Sequence, residues 1–196
     1  MPEPADLPPG SQTVFRLPRA YWHCQADNFD WGLVRPASLS EHYSAFLAAA
    51  QAGGAPHLIL TGEPGIGKTH LGVAAYRQLV REVGTERATW INVPDFCRRV
   101  KDGYDKGAQD PFTDYLAAQR LVVLDDLVGR DLSLHEMNQI VYRLLDSAYQ
   151  NAAAMLVTMN PPVSELAARF QPHEVSRLLA EAVVIPLQGS GDRRRP

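Results

Sequence analysis

The sequence predicts one α/β domain of three layers, with helices on both faces of a parallel sheet. Three observations predict it. Short runs rich in Val, Leu and Ile alternate with segments of helical periodicity. The glycine-bearing segment Gly62-Glu63-Pro64-Gly65-Ile66-Gly67-Lys68-Thr69 joins one such run to one such helix. A later run, Leu121-Val122-Val123-Leu124-Asp125, is apolar without alternation, as in a strand buried on both faces. At 196 residues the chain is long enough for a single domain with a substantial core.

Residues 1 to about 18 carry five prolines and little apolar surface, and read as a flexible tail; residues 19–196 form the domain. Tyr21 to Trp31 is rich in aromatics and reads as ordered. Leu39–Gln51 has helical periodicity, and Gly53-Gly54 ends it. Five strands are expected at His57–Thr61, Ala88–Val93, Leu121–Asp125, Ala153–Thr158 and Ala182–Leu187. Pro94 is expected to end the second. Between the first two lies a helix with Leu71, Ala75 and Leu79 on one face. Asp95 to Gln119 reads as polar and mostly helical. Glu136–Gln150 is a helix with an apolar stripe that includes Ile140, Leu144 and Ala148. Short helices are expected around Val163–Phe170 and Val175–Ala180.

Composition narrows the function. Apolar residues make up 45% and charged residues 21%, as in a soluble globular protein, and no apolar run approaches the ~20 residues of a membrane span. The first residues lack the basic start and apolar stretch of a secretory signal. Cys24 and Cys97 are too few for a disulfide framework, lack metal-ligand spacing, and read as reduced thiols of a cytoplasmic protein. A net charge of −3 confines any nucleic-acid contact to a local patch.

The segment from Gly62 to Thr69 fits G-x-x-x-x-G-K-[ST], a loop that cradles the phosphates of a nucleotide. Glycines let backbone N–H groups turn inward, and the following helix adds positive potential at its N-terminus. Lys68 is placed for the β- and γ-phosphates, and Thr69 for Mg²⁺. His70 opens the helix beside them. Asp125 and Asp126 emerge together at the end of a core strand. Asp125 is the candidate Mg²⁺ ligand, and Asp126 the group that orients or deprotonates the attacking water. Asp125 lies 57 residues after Lys68, an interval that holds a complete extra strand. That spacing points to NTPases with an additional catalytic strand beside the loop, and away from GTPases and small-molecule kinases.

Asn160, after the fourth strand, is either a contact to the γ-phosphate or water, or a cap in a Pro-flanked turn. Arg177 is either an arginine finger or a solvated helix residue. Arg98, Arg99, Lys101 and Lys106, interleaved with Phe96 and Tyr104, are either a contact surface for single-stranded DNA or a solvated face diluted by Asp95, Asp102 and Asp105.

Taken in order, these motifs resemble an AAA+ ATPase, and more narrowly the DnaC/DnaI helicase loaders and IstB transposition helpers. The resemblance runs from about Leu17 to Arg193. It rests on the segment from Leu17 through Asp30, on Ile91-Asn-Val-Pro-Asp-Phe96, on Val157-Thr-Met-Asn-Pro-Pro-Val-Ser-Glu-Leu166, on Ser176-Arg-Leu178 and on Gly189-Ser-Gly-Asp-Arg193. It implies five parallel strands in the order 5-1-4-3-2 and no separate lid domain. It implies ATP and Mg²⁺ as cofactors, Asn160 as the sensor on the fourth strand, and Arg177 as a finger reaching a neighbouring subunit in an ATP-dependent homo-oligomer. Asn92 becomes a polar switch near the water, Phe29 a border of the adenine, and Arg193 a possible second arginine sensor. The implied role is ATP hydrolysis in DNA replication, as a loader-like factor acting with a replicative helicase on single-stranded DNA. A transposition helper and a nucleotide-gated adaptor with little hydrolysis are the alternatives. Asp126, standing where many AAA+ proteins carry Glu, motivates the adaptor.

Overall fold

A computed structural model describes residues 17–83, 87–104, 119–129, 133 and 140–189. Six strands form one sheet: β1 Val34–Arg35, β2 His57–Gly62, β3 Ala88–Asn92, β4 Leu121–Asp125, β5 Ala154–Thr158 and β6 Ala182–Gly189. Their order is β1-β6-β2-β5-β4-β3, with β1 antiparallel to β6 and all other pairs parallel. The sheet is therefore six-stranded and mixed, which corrects the expectation of five parallel strands. The added strand is two residues long and followed by a proline, too short to leave a periodic signal. Its pairing, Val34 with Gly189 and Arg35 with Gln188, also carries β6 two residues beyond the expected end at Leu187.

Alternation along the central strands sorts their side chains into two cores. Leu58, Leu60, Val123 and Leu156 face one side, where they meet α1 (Leu39–Gln51) and α2 (Lys68–Val83). Ile59, Leu124, Met155 and Val157 face the other, where they meet α3 (Val93–Tyr104), α4 (Tyr142–Gln150) and α5 (Pro172–Leu179). The result is the three-layer arrangement, with every residue of β4 and β5 buried. Each fully buried Leu or Val contributes about 1.5–3 kcal/mol relative to exposure. The predicted stripe of α2 holds, since Leu71, Ala75 and Leu79 are all buried.

Boundaries moved where local chemistry outweighed pattern. β3 stops at Asn92, and Val93 already begins α3. Pro94 sits in the first turn of that helix, where a missing N–H has no partner to lose. The fourth predicted strand begins at Ala154. Val163–Ala168 is a 3-10 helix. The last helix begins at Pro172, ahead of the expected Val175, because Glu174 Oε2 accepts from the Gln171 N–H at 2.7 Å and Pro172 suits the first helical position. The predicted helix Glu136–Gln150 is seen as α4 from Tyr142, and residues 134–139 lie outside the described residues. Most of the predicted tail, and residues 105–118 of the polar stretch, also lie outside them. No helix among the described residues is long and apolar enough to cross a membrane.

Candidate functional site

The glycine loop leaves β2 and enters α2 in tight contact with two neighbours. Gly62, at φ +134°, lies so close to the Leu187 carbonyl of β6 that a Cβ would collide with backbone. Gly67, at φ +106°, passes under Phe29, and a Cβ there would lie 2.6 Å from the ring. Both positions need the conformations and the close approach that glycine alone allows. Lys68 is buried, and its Nζ donates to the carbonyls of Gly62 at 2.6 Å and Glu63 at 2.9 Å. The ammonium is thus held across the loop's opening. Leu71 N–H donates to Gly67 O at 3.1 Å, which fastens the loop to the first turn of α2.

Parallel pairing brings the second motif to the same end of the sheet. The β4–β5 register sets Leu124 beside Val157, so Asp125 and Thr158 emerge as neighbours. Thr158 Oγ1 donates to Asp125 Oδ1 at 2.7 Å and accepts from Asp126 N–H at 3.0 Å. The Thr158 carbonyl accepts from Leu127 N–H at 2.9 Å. Asp125 is 2% exposed, and the side chains of Thr69 and Asn92 lie beside it. Burial pushes its carboxyl above the usual carboxylate range, these three side chains pull it back, and the charge of Asp126 pushes it up again. Asn92 meanwhile accepts from Asp95 N–H at 3.2 Å, capping α3. One carboxylate thereby joins the loop, β3, β4 and β5.

Asp126 follows at φ 58°, in the left-handed region that Asp tolerates better than most residues. Its Oδ2 lies close to Gly129, 3.6 Å from where a Cβ there would stand. Thr158 bonds both candidate acids, a place that the motifs did not assign. A hydroxyl residue at the end of a strand flanking the acidic one was the only sequence signal for it.

The remaining predicted residues fall into three groups. Beside the loop, Phe29 is buried over Gly67, with ring centroids 4.8 Å from Trp31 and 5.4 Å from His70. His70 bonds the Gln25 carbonyl through Nε2 at 2.8 Å. Pro64 and Glu63 are exposed, while Gly65 and Ile66 are buried in the loop. Asn160 is half-buried two residues past Thr158, and its side chain makes no hydrogen bond among the described residues. Arg177 is turned to α4, where it pairs with Asp146, bonds Tyr142 and lies 5.7 Å from the Tyr149 ring centroid. The structure does not bring it into contact with the loop. Of the proposed DNA contacts, Arg98 is exposed and pairs with Asp95 at 2.7 Å. The backbone of Arg99 and Lys101 runs in α3, and Lys106 and Arg193 lie outside the described residues.

The Asp125 carboxylate and the Thr69 hydroxyl side by side offer oxygen donors alone, the set that a hard cation takes, so they fit Mg²⁺. The glycine cradle with its buried Lys68, and Thr69 with Asp125 for the cation, fit a nucleoside triphosphate. The family model for "IstB-like ATP binding protein" matches residues 35–195. The chain belongs to this family. Among solved structures it is similar to the DnaC helicase loader at TM-score 0.72 and 22% identity, over 87% of this chain and 100% of that one. It is similar to DnaI at TM-score 0.73 and 19% identity, over 89% and 96%. It is also similar to the replication initiator DnaA bound to AMPPCP and single-stranded DNA, at TM-score 0.65 and 20% identity, over 91% of this chain and 53% of that one. The chain thus spans about half of that initiator. At these identities the likeness is one of fold. No curated protein matches in sequence.

Proposed function

We propose that this IstB-like ATP-binding chain hydrolyses ATP, and that it acts as a loader-like factor assembling with ATP on single-stranded DNA. The observation that carries the reading is the Asp125 junction, where one buried carboxylate meets Thr69, Thr158 and Asn92 beside Asp126. In this reading Lys68 neutralises the β- and γ-phosphates. Thr69 and Asp125 hold Mg²⁺, which supplies charge stabilisation for the transferring phosphoryl group. Asp126 orients the water, and Asn160 contacts it or the γ-phosphate from the end of β5. Arg177 acts from a neighbouring copy, which requires exchanging Asp146 for a phosphate partner.

ATP turnover of the full chain with and without single-stranded DNA tests the reading. DNA-stimulated turnover that disappears in Lys68→Ala and Asp126→Asn is the expected result. Tight ATP binding without turnover under either condition would sink hydrolysis and favour a nucleotide-gated adaptor, the reading that the short Asp126 carboxylate supports.

The family match favours a second assignment for the same ATPase, as a helper that selects DNA targets for a transposase. The loader reading expects a replicative helicase to co-purify from the native host. Recovery of a transposase in its place would replace loader with helper.

A further inference from the structure

Cys24 enters neither the cradle nor the proposed hydrolysis, and its sequence spacing to other ligands is uninformative. The fold alters that. Cys24 lies just past the 3-10 turn Arg19–Tyr21, and the first turn of α2 brings His70 to it from 46 residues away. One ligand atom from each of His23, Cys24 and His70 lies within 4.8 Å of the other two. His23 Nε2 is 3.8 Å from Cys24 Sγ, and the two imidazoles meet edge-on with centroids 6.0 Å apart. A tetrahedral Zn²⁺, with sulfur at about 2.3 Å and nitrogen at about 2.0 Å, sets its ligand atoms roughly 3.3–3.6 Å apart. The cluster therefore needs a contraction of about an ångström, which side-chain torsions supply.

We propose that His23, Cys24 and His70 form a Zn²⁺ site that clasps the segment ahead of the core to the helix turn following the phosphate loop. Two further observations support it. The Gln25 carbonyl bonds one nitrogen of His70 at 2.8 Å, the outer-shell contact that orients metal-binding histidines and makes the other nitrogen more basic. The exposures are graded, with Cys24 2% exposed, His70 half-buried and His23 at the surface, so an ion could reach the cluster from the His23 side.

The donor chemistry separates this site from the neighbouring one. Two imidazoles and a thiol select a borderline or soft ion, whereas Thr69 and Asp125 offer oxygen alone.

The test uses the chelator-stripped full chain, titrated with Zn²⁺ against a chromophoric chelator and separately with Co²⁺ as a spectroscopic probe. The expected result is one equivalent of Zn²⁺ and a thiolate-to-cobalt charge-transfer band. Both should vanish in Cys24→Ser and persist in Cys97→Ser. His23 is exposed, so His23→Ala keeps the fold and should weaken Zn²⁺ by at least tenfold. A stripped chain that takes up no Zn²⁺ overturns the proposal. So does a cobalt band that survives Cys24→Ser, or Zn²⁺ affinity unchanged in His23→Ala.

Discussion

At the Asp125 junction, a carboxylate with 2% exposure accepts a hydrogen bond from Thr158 of β5, with Thr69 of α2 and Asn92 of β3 beside it. At the α4–α5 edge, Arg177 has a side chain 34% exposed, and every partner it has among the described residues sits on one helix. The parts of the first region lie within one chain, where the parallel register sets Asn92, Asp125 and Thr158 side by side and the start of α2 adds Thr69. The second is held loosely and to one side, and in the proposed reaction it meets a nucleotide only across a subunit boundary. In the proposed reading, the contrast separates the part of the site that folding builds from the part that assembly would supply.

Removing the outlying half should have the largest effect. Arg177→Ala is expected to lower turnover by about 10³-fold or more while leaving ATP affinity intact. Mixing it with Lys68→Ala subunits should restore part of the rate. Complete inactivity of the mixtures, with both variants assembled, would count against action in trans.

Next comes the acid at the strand exit. Asp126→Asn should reduce turnover by about 10²–10⁴-fold with nucleotide binding retained, as read by single-turnover kinetics beside calorimetry. A parallel loss of binding would make Asp126 part of the cradle itself.

Thr158→Val removes a donor to Asp125 and an acceptor for Asp126 N–H. It is expected to destabilise the nucleotide-free fold by about 1–3 kcal/mol, measured by denaturant unfolding. An unchanged midpoint would mean that the junction is less closed than its geometry implies.

The raised Asp125 carboxyl gives a pH signature. A proton held there must leave before Mg²⁺ binds, so affinity for Mg²⁺-nucleotide should fall as pH is lowered through that raised value, by up to about tenfold per unit. The stability of the nucleotide-free fold runs the opposite way. Because the folded value lies above the unfolded one, the Asp125 contribution is full below the unfolded value and is lost as pH rises through the folded value. Calorimetry and thermal melts across a pH series check both slopes, and Asp125→Asn should flatten them.

Asp146→Asn should have the smallest effect. It loosens Arg177 at a part-exposed pair and is expected to change stability by less than about 1 kcal/mol. A larger loss would show that this edge is as tightly built as the junction.

Most of the fold was legible because its signals are local. The apolar run before Gly62 and the one ending at Asp125 read as buried strands, and the glycine pattern between strand and helix needs no distant partner. The cap at Gln171 and Glu174 was equally local, yet it was hidden behind Pro172, and the helix start was placed too late. β1 escaped notice because two residues carry no period. Among candidate site residues, spacing alone singled out Lys68, Thr69, Asp125 and Asp126, and the fold brings Asp125 beside Thr69. Thr158 was not singled out, since its role depends on which strand lies beside β4 and in what register.

The sequence by itself determined the chemical inventory: a phosphate-binding loop, a pair of acids at a strand end, and the strands and helices to carry them. Short-range pattern and backbone preference suffice for that, because each signal spans only a few turns or a single strand. Tertiary structure decided which of these groups meet. It set Thr158 and Asn92 against Asp125, laid Phe29 over Gly67, turned Arg177 toward Asp146, and gathered His23 and Cys24 with His70. Those are contacts between residues far apart in the chain, fixed by sheet register and by burial of apolar faces, and such contacts leave no periodic trace in one sequence.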